Sequence, residues 1–143
     1  MSIGDTFEND LMKLILQAAP IANIADNAAS APLTNLYVGL HTADPTDAGD
    51  QTSSETSYTG YARVAVARTS GGWTVTANVG SNVAAVTFGA CTVGTPTISF
   101  ATLGTASSGT GKILFSGGLT ANLSVSPGIT PSFAIGALTV SVD

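Results

Sequence analysis

The stretch that decides the fold runs from Tyr61 to Val79 and has the sequence YARVAVARTSGGWTVTANV. Its first part, YARVAVAR, alternates large and small side chains. This two-residue period predicts a β-strand, because successive side chains of a strand point to opposite faces. Gly71-Gly72 predicts a turn, and Trp73 to Val79 predicts a second strand. The middle of the chain is therefore predicted to be a strand, a turn and a strand.

The same alternation of short strands with Gly or Pro turns continues on both sides. Further strands are predicted at Leu36 to His41, Val83 to Phe88, Thr97 to Leu103, Lys112 to Phe115, Leu119 to Val125 and Ser132 to Val142. Turns are predicted at Ser107 to Gly111, Gly117-Gly118 and Pro127-Gly128, and a long polar loop at Ala43 to Thr59. About eight or nine short strands rich in Val, Thr and Ile predict a mostly β, antiparallel fold, either a β-sandwich or barrel-like.

The first twenty residues predict a single N-terminal α-helix. Asp5 is the expected N-cap, with Glu8 three residues later as in a capping box, and Pro20 ends the helix. One helical face is expected to carry Phe7, Leu11, Leu14, Ile15 and Ala18. An irregular connector follows. We expect one folding unit overall, with residues 1–33 as helix and connector and residues 34–143 as the β-sandwich domain.

The composition excludes several classes of partner. Of the 143 residues only 9% are charged, and the net charge is −5. The four basic residues, Lys13, Arg63, Arg68 and Lys112, are scattered, whereas phosphate binding needs clustered Lys and Arg, so nucleic acid is not expected as a partner. No stretch has the ~18 consecutive apolar residues of a membrane span. The acidic charge suits a protein that lies against other proteins and equally a soluble monomer.

The polar residues do not form a recognisable reactive site. His41, the only histidine, lies near Asp44, but no G-x-S-x-G motif accompanies it, so a hydrogen-bonded structural histidine is expected. Asp44, Asp47 and Asp50 lack the ligand spacing of a calcium loop and predict a turn that begins at Asp44-Pro45. Cys91 is alone in an apolar stretch and predicts a buried, inert thiol.

The glycine-rich segment 104–112 predicts a hairpin turn rather than a phosphate-binding loop. Its glycines have the wrong spacing, and Ile113 stands where a Ser or Thr would bind Mg²⁺. We therefore predict no enzymatic activity, no catalytic residues, no cofactor and no metal.

Five segments together resemble one family. They are LYVGLHTADPTDAG at 36–49, GYARVAV at 60–66, NVAAVTF at 82–88, GKILFSGGLT at 111–120 and FAIGALTVSVD at 133–143. In this order, after a helical start, they resemble the small virion structural proteins of tailed bacteriophages, a family of capsid-decorating and tail-fibre-like proteins. The resemblance implies a structural protein without catalytic residues, and it covers both head and tail members.

Because the chain is short, has few charges and shows neither a coiled coil nor repeats, we expect a capsid-decorating (cement) protein, made in the host cytoplasm, that bridges subunits of the major capsid protein on the head surface. We expect it to form a homo-oligomer, with a trimer favoured. The alternative is a tail, baseplate or fibre accessory protein bound to a tail protein, and a third reading is a carbohydrate-binding β-sandwich module with exposed aromatics. The candidate protein-contact residues are Phe7, Leu11, Asp44, Asp47, Tyr58 and Tyr61.

Overall fold

A computed structural model describes residues 4–21, 24–25 and 31–142, and these residues form one helix and nine strands. The elements are α1 (Asp5–Gln17), β1 (Asn35–His41), β2 (Val64–Ala67), β3 (Trp73–Thr76), β4 (Val79–Asn82), β5 (Val86–Thr87), β6 (Thr97–Gly104), β7 (Ile113–Ser124), β8 (Ser132–Phe133) and β9 (Thr139–Ser141). The predicted fold class, mostly β with antiparallel sheets and one N-terminal helix, is confirmed. Within the described residues, no helix has the length and apolarity needed to cross a membrane.

The described strands form sheets with the orders β2-β1-β6-β7, β3-β4-β9 and β5-β8. In the first sheet β1 and β6 pair from Tyr37 opposite Gly104 to His41 opposite Phe100. Consecutive residues are buried along most of both strands, which means that both faces of this pair are covered. Strands β1 and β6 are therefore the buried centre of this sheet.

The chain divides into two compact units. The first contains the described residues of Met1–Asn35, Val66–Ala85 and Phe133–Asp143, and the second contains Leu36–Ala65 and Val86–Ser132. In the first unit α1 packs against β3 and β4. The second unit contains β5, β6 and β7 together with most of β1. The boundaries 1–33 and 34–143 stay a prediction.

Helix α1 differs from the predicted helix at its start and in its buried face. Its N-cap is Gly4, which is extended and whose carbonyl oxygen accepts hydrogen bonds from the next turn, so the prediction of Asp5 as N-cap is wrong. Met12 and Leu16 are fully buried. The predicted face, Phe7, Leu11, Leu14, Ile15 and Ala18, is exposed at its first residue and half-buried at the others. The buried side is decided by the partner strand, because β4 presents Gly80 to Met12 and Leu16.

Arg68 holds the C-terminal end of α1. Its Nε donates to the Ile15 carbonyl oxygen and its Nη2 to that of Leu14, both at 2.8 Å, while Nη1 donates to the Leu33 oxygen at 2.8 Å. The last carbonyl groups of a helix have no partner inside the helix and carry partial negative charge, so a guanidinium placed there stabilises the helix end. Burial lowers the pKa of Arg68.

Three predicted strand boundaries are wrong. Trp73 to Val79 is interrupted at Ala77, whose φ of 53° makes a turn, so that β3 and β4 form a hairpin. Gly117-Gly118 is not a turn, since both glycines lie inside β7, opposite Ala101 and Phe100. Ser132 to Val142 is divided into β8 and β9. For Gly117-Gly118 the pairing with β6, rather than the local sequence, decides where the strand ends.

We predict that Gly80→Ala destabilises the first unit, because a Cβ at this position would overlap Leu16 Cδ1 and lie 3.2 Å from Met12 Cε. The expected loss in the free energy of unfolding is about 1 to 3 kcal/mol, measured by urea denaturation. Gly117→Ala is the matched control, since a Cβ there has no atom within 4 Å. Equal stability of the two variants would contradict close packing of α1 on β4.

Candidate functional site

The polar loop at residues 43–59 is the most distinctive surface segment of the second unit. Asp44 Oδ1 accepts a hydrogen bond of 2.8 Å from the Thr46 amide, which confirms the predicted turn. Asp50 Oδ1 accepts from the hydroxyl of Thr52 at 2.6 Å and from its amide at 2.8 Å. The hydrogen bond from the Thr52 hydroxyl is the main cause of the lowered pKa of Asp50. The side chains of Asp44 and Asp50 therefore each stabilise a turn of the loop.

Arg63 and Glu55 form a buried, two-point ion pair beneath this loop. Arg63 Nε lies 2.6 Å from Glu55 Oε1, and Arg63 Nη2 lies 2.7 Å from Glu55 Oε2. The exposed fractions of the two side chains are 2% and 17%. Such bidentate, charge-assisted hydrogen bonds are stronger than neutral ones and fix the geometry of both partners. Hydrogen bonding to Glu55 raises the pKa of Arg63.

The same guanidinium connects two loops that are distant in sequence. Nη1 donates to the Ala106 carbonyl oxygen at 3.0 Å, and Nη2 donates to those of Gln51 at 3.0 Å and Gly109 at 2.9 Å. One side chain thus fixes the 43–59 loop to the turn between β6 and β7. The predicted turn at Ser107 to Gly111 is present, and Arg63 supplies part of its support.

Gln51 strengthens the connection from the loop side. Its side chain is fully buried, and its Oε1 accepts a hydrogen bond of 2.8 Å from the Ala106 amide. The backbone amide of Gln51 donates to the Gly111 carbonyl oxygen at 2.9 Å. A Cβ at Gly104 or at Gly111 would overlap the Gln51 side chain. Glycine is therefore required at these two positions for Gln51 to be buried.

Tyr61 links the ion pair to β1. Its hydroxyl donates to Glu55 Oε1 at 2.8 Å and accepts from the Leu40 amide at 3.0 Å. Its ring stacks on Phe88 with centroids 6.1 Å apart and meets the Tyr58 ring edge-on at 5.5 Å. Burial raises the pKa of Tyr61. Tyr61 is consequently a structural part of the network that positions the loop.

His41 has the structural role that the sequence predicts. It is fully buried, with Nδ1 2.8 Å from the Ser53 carbonyl oxygen and Nε2 2.8 Å from Thr102 Oγ1. Because a carbonyl oxygen only accepts, Nδ1 carries the proton, and the Thr102 hydroxyl donates to Nε2. Burial lowers the pKa of His41 and favours this neutral form. Thr102 is 2% exposed, so no substrate reaches this hydroxyl–imidazole pair.

The structure separates the six predicted contact residues into two groups. On α1, in the first unit, Phe7 is 39% exposed and Leu11 is half-buried. In the second unit Asp44 and Asp47 are exposed. Tyr58 is 5% exposed and its hydroxyl donates to the Gly89 carbonyl oxygen at 2.9 Å, so little of its surface is available to a partner. Tyr61 is half-buried, and its hydroxyl donates to Glu55. A contact role for these residues stays a prediction.

An open groove of about 480 Å³ lies beside the ion pair. It is lined by Thr42, by residues 55–59 and by residues 93–96, and Val93 on its wall is 65% exposed. The groove is rich in hydroxyl and backbone groups. Among the described residues, no three His, Cys, Asp or Glu side chains lie close enough to bind a metal ion together.

Sequence reasoning missed the residues that organise the site, Arg63, Glu55 and Gln51. The available signal for Arg63 was its position in the sequence. It is a charged residue inside an alternating strand segment, in a chain that has four basic residues. Its acceptors at Ala106 and Gly109 are more than forty residues away, as are the contacts of Gln51 with the same turn. Sequence spacing does not predict such partners.

Comparison with known proteins gives one family. The family model described as "Podophage GP4 fiber I protein gp80" matches residues 6–141 of the chain. A search among curated proteins finds no match.

We predict that stability decreases as His41 becomes protonated. Its pKa lies below the ordinary 6.5, so the unfolded chain takes up the proton first as the pH falls. The free energy of unfolding is therefore expected to be constant above about pH 7 and to decrease from about pH 6.5 towards the folded-state pKa. Urea denaturation between about pH 5 and 8 measures it, with His41→Gln as the control that lacks the titrating group. An equal slope in both proteins would refute the assignment.

We predict that Arg63→Ala lowers the free energy of unfolding by roughly 3 to 5 kcal/mol, because removing one partner leaves Glu55 without its counterion. Arg63→Lys is expected to recover only part of this loss, since an ammonium cannot form the two-point contact. The control is Lys112→Ala at an exposed position, expected within about 0.5 kcal/mol of the unmodified protein. Chemical denaturation of the three variants measures the free energy of unfolding. If Arg63→Ala lowered it no more than Lys112→Ala does, the role of the ion pair would be contradicted.

Proposed function

Since the chain belongs to the podophage fibre I protein family and is thus a bacteriophage structural protein, we propose that it is a component of the tail fibre. The observation that carries this proposal is the extent of the match, which covers residues 6–141. The family description names a fibre protein, which supports the tail alternative more than the capsid-decorating role. The cement role that we expected first stays a prediction.

The proposed mechanism is attachment through a rigid surface rather than chemistry. The 43–59 loop is held from below by Arg63 and Gln51, so its exposed turns keep one conformation before a partner arrives. A preorganised surface loses less conformational entropy on binding. In this mechanism the partner is another protein of the tail or fibre, bound without a cofactor.

The charge of the loop indicates the kind of partner surface. Residues 43–59 contain Asp44, Asp47, Asp50 and Glu55 but no Lys or Arg. The Glu55 charge is compensated by buried Arg63, whereas Asp44 and Asp47 are exposed. Complementary charge steers association and selects partners. We therefore propose a partner surface that is basic where it meets this loop.

The carbohydrate-binding reading receives less support. Sugar-binding sites of β-sandwich modules use exposed aromatic faces, whereas Tyr58 is 5% exposed and Trp73 is fully buried. In the described part of the chain the exposed aromatic residue is Phe7, on α1. The groove at residues 55–59 and 93–96 offers hydroxyl groups without such a face.

Labelling of intact particles tests the location. We expect gold-labelled antibodies against this chain to bind the tail or its fibres on purified virions, and cryo-electron microscopy to place its density there. Particles that lack the protein should keep the heat and osmotic resistance of the head and lose adsorption to the host. Label on the head together with a loss of heat resistance would overturn the fibre proposal in favour of the cement role.

A pair of charge variants tests the contact surface. Asp44→Asn with Asp47→Asn keeps the Asx-turn acceptor and removes two exposed charges, and we expect incorporation into particles to fall roughly fivefold, equivalent to about 1 kcal/mol. Ser126→Lys with Thr130→Lys makes the same change of net charge at two exposed positions outside the loop and is the matched control. Equal incorporation of both variants, measured by quantitative immunoblotting of purified virions, would exclude the loop as the contact.

A further inference from the structure

The groove at residues 55–59 and 93–96 is a gap in the backbone pairing of the second unit. Its two walls meet at one end, where Thr59 and Val93 form an isolated antiparallel bridge. The Thr59 amide donates to the Val93 carbonyl oxygen at 2.9 Å. Among the described residues, the backbone hydrogen bonds between the two walls are confined to this bridge. The walls are therefore unpaired along the rest of their length.

The other end of the groove is about two strand spacings wide. Glu55, on the first wall, forms a bridge with His41 of β1, and His41 pairs on its other side with Phe100 of β6. Strand β1 thus lies between the first wall and β6, which continues directly from the second wall. Because neighbouring strands are about 4.8 Å apart, the walls are separated by roughly 10 Å here and by one spacing at the bridge. They therefore diverge by about the width of one extended chain.

The walls carry polar groups that have no hydrogen-bond partner in the described part of the chain. They are the N–H and C=O groups of Ser57 and the N–H groups of Gly94 and Thr95. Ser57 and Thr95 are exposed. Thr56, at 4% exposure, has a buried hydroxyl that also lacks a partner. An unpaired buried hydroxyl costs free energy, and the exposed backbone groups are available to a ligand.

An extended polypeptide matches these groups better than other ligands do. An anion is disfavoured, because the lining contains Glu55 and neither Lys nor Arg. A sugar ring finds no aromatic face, since Tyr58 is 5% exposed. A peptide backbone alternates N–H and C=O groups and so pairs with donors and acceptors alike, as in β-strand addition. Val93, with 65% exposure, provides an apolar contact for one of its side chains.

We propose that the groove binds an extended segment of a partner protein through main-chain hydrogen bonds to Ser57 on one wall and to Gly94 and Thr95 on the other. The segment is expected to be uncharged or basic, because the lining has no basic residue and the first wall belongs to the acidic 43–59 loop. This binding deepens the proposed contact of that loop with a tail or fibre protein. It rests on the proposed function only for the location of the partner.

Photo-cross-linking in purified virions tests the occupant of the groove. p-Benzoylphenylalanine replaces Ser57 or Thr95 in the full chain, one position at a time, and the cross-linked peptides are identified by mass spectrometry. We expect both positions to link to the same segment of one other virion protein, since the two walls bind a common ligand. Ser70, exposed in a turn of the first unit, is the matched control and should not link to that segment.

The proposal fails if Ser57 and Thr95 link to different proteins, if the linked segment belongs to another copy of this chain, or if neither position links more than Ser70 does. A shared segment of a head protein would support the groove and overturn the fibre location. Failure at the groove, with gold label still on the tail, would overturn the groove and leave the fibre proposal intact.

Hydrogen exchange tests whether the main chain makes the contact. The amides of Ser57, Gly94 and Thr95 should exchange quickly in the purified chain, because they have no hydrogen bond within the described residues. In intact particles we expect their exchange to slow at least ~tenfold. The Ser70 and Gly71 amides, which likewise have no partner in the described ranges, should exchange equally fast in both samples. Unchanged exchange at the groove, or equal slowing at both places, would overturn main-chain binding.

Discussion

The guanidinium of Arg63 lies inside the second unit, where the Arg63 side chain is only 2% exposed. The transfer of such a charge out of water costs several kcal/mol. The two-point contact with Glu55 and the carbonyl groups of Gln51, Ala106 and Gly109 offset this cost. Since these acceptors belong to two separate loops, the guanidinium is satisfied only when both loops adopt the observed conformation. The ion pair therefore acts mainly as a constraint on loop geometry, and the surface of residues 43–59 depends on it.

Several charged and polar side chains of this chain stabilise its fold. Arg68 closes the C-terminal end of α1 in the first unit, and Arg63 fixes the loops of the second. His41 is held neutral between Ser53 and Thr102, and Tyr61 bridges Glu55 and β1. Asp44 and Asp47, on the 43–59 loop, remain exposed in the second unit. The exposed loop is the contact surface that we propose for this member of a fibre family.

The 43–59 loop suits the protein contact that we propose for it. The loop has rigid, charged turns, which provide selectivity towards a partner of opposite charge.

The sequence by itself determined the fold class, the helical start, the turns at Asp44-Pro45 and Pro127-Gly128, the buried structural histidine and the family resemblance. These features depend on local conformational preferences and on the two-residue period of strands, which neighbouring residues specify. Only the tertiary structure decided that Gly117-Gly118 continues a strand, that Met12 and Leu16 form the buried face of α1, and that Arg63 meets Glu55 beneath the loop. The physical reason is that each depends on a partner brought close by folding, such as β6, Gly80 or the 105–111 turn, and strand pairing, close packing and ion pairing act between residues in space whatever their separation along the chain.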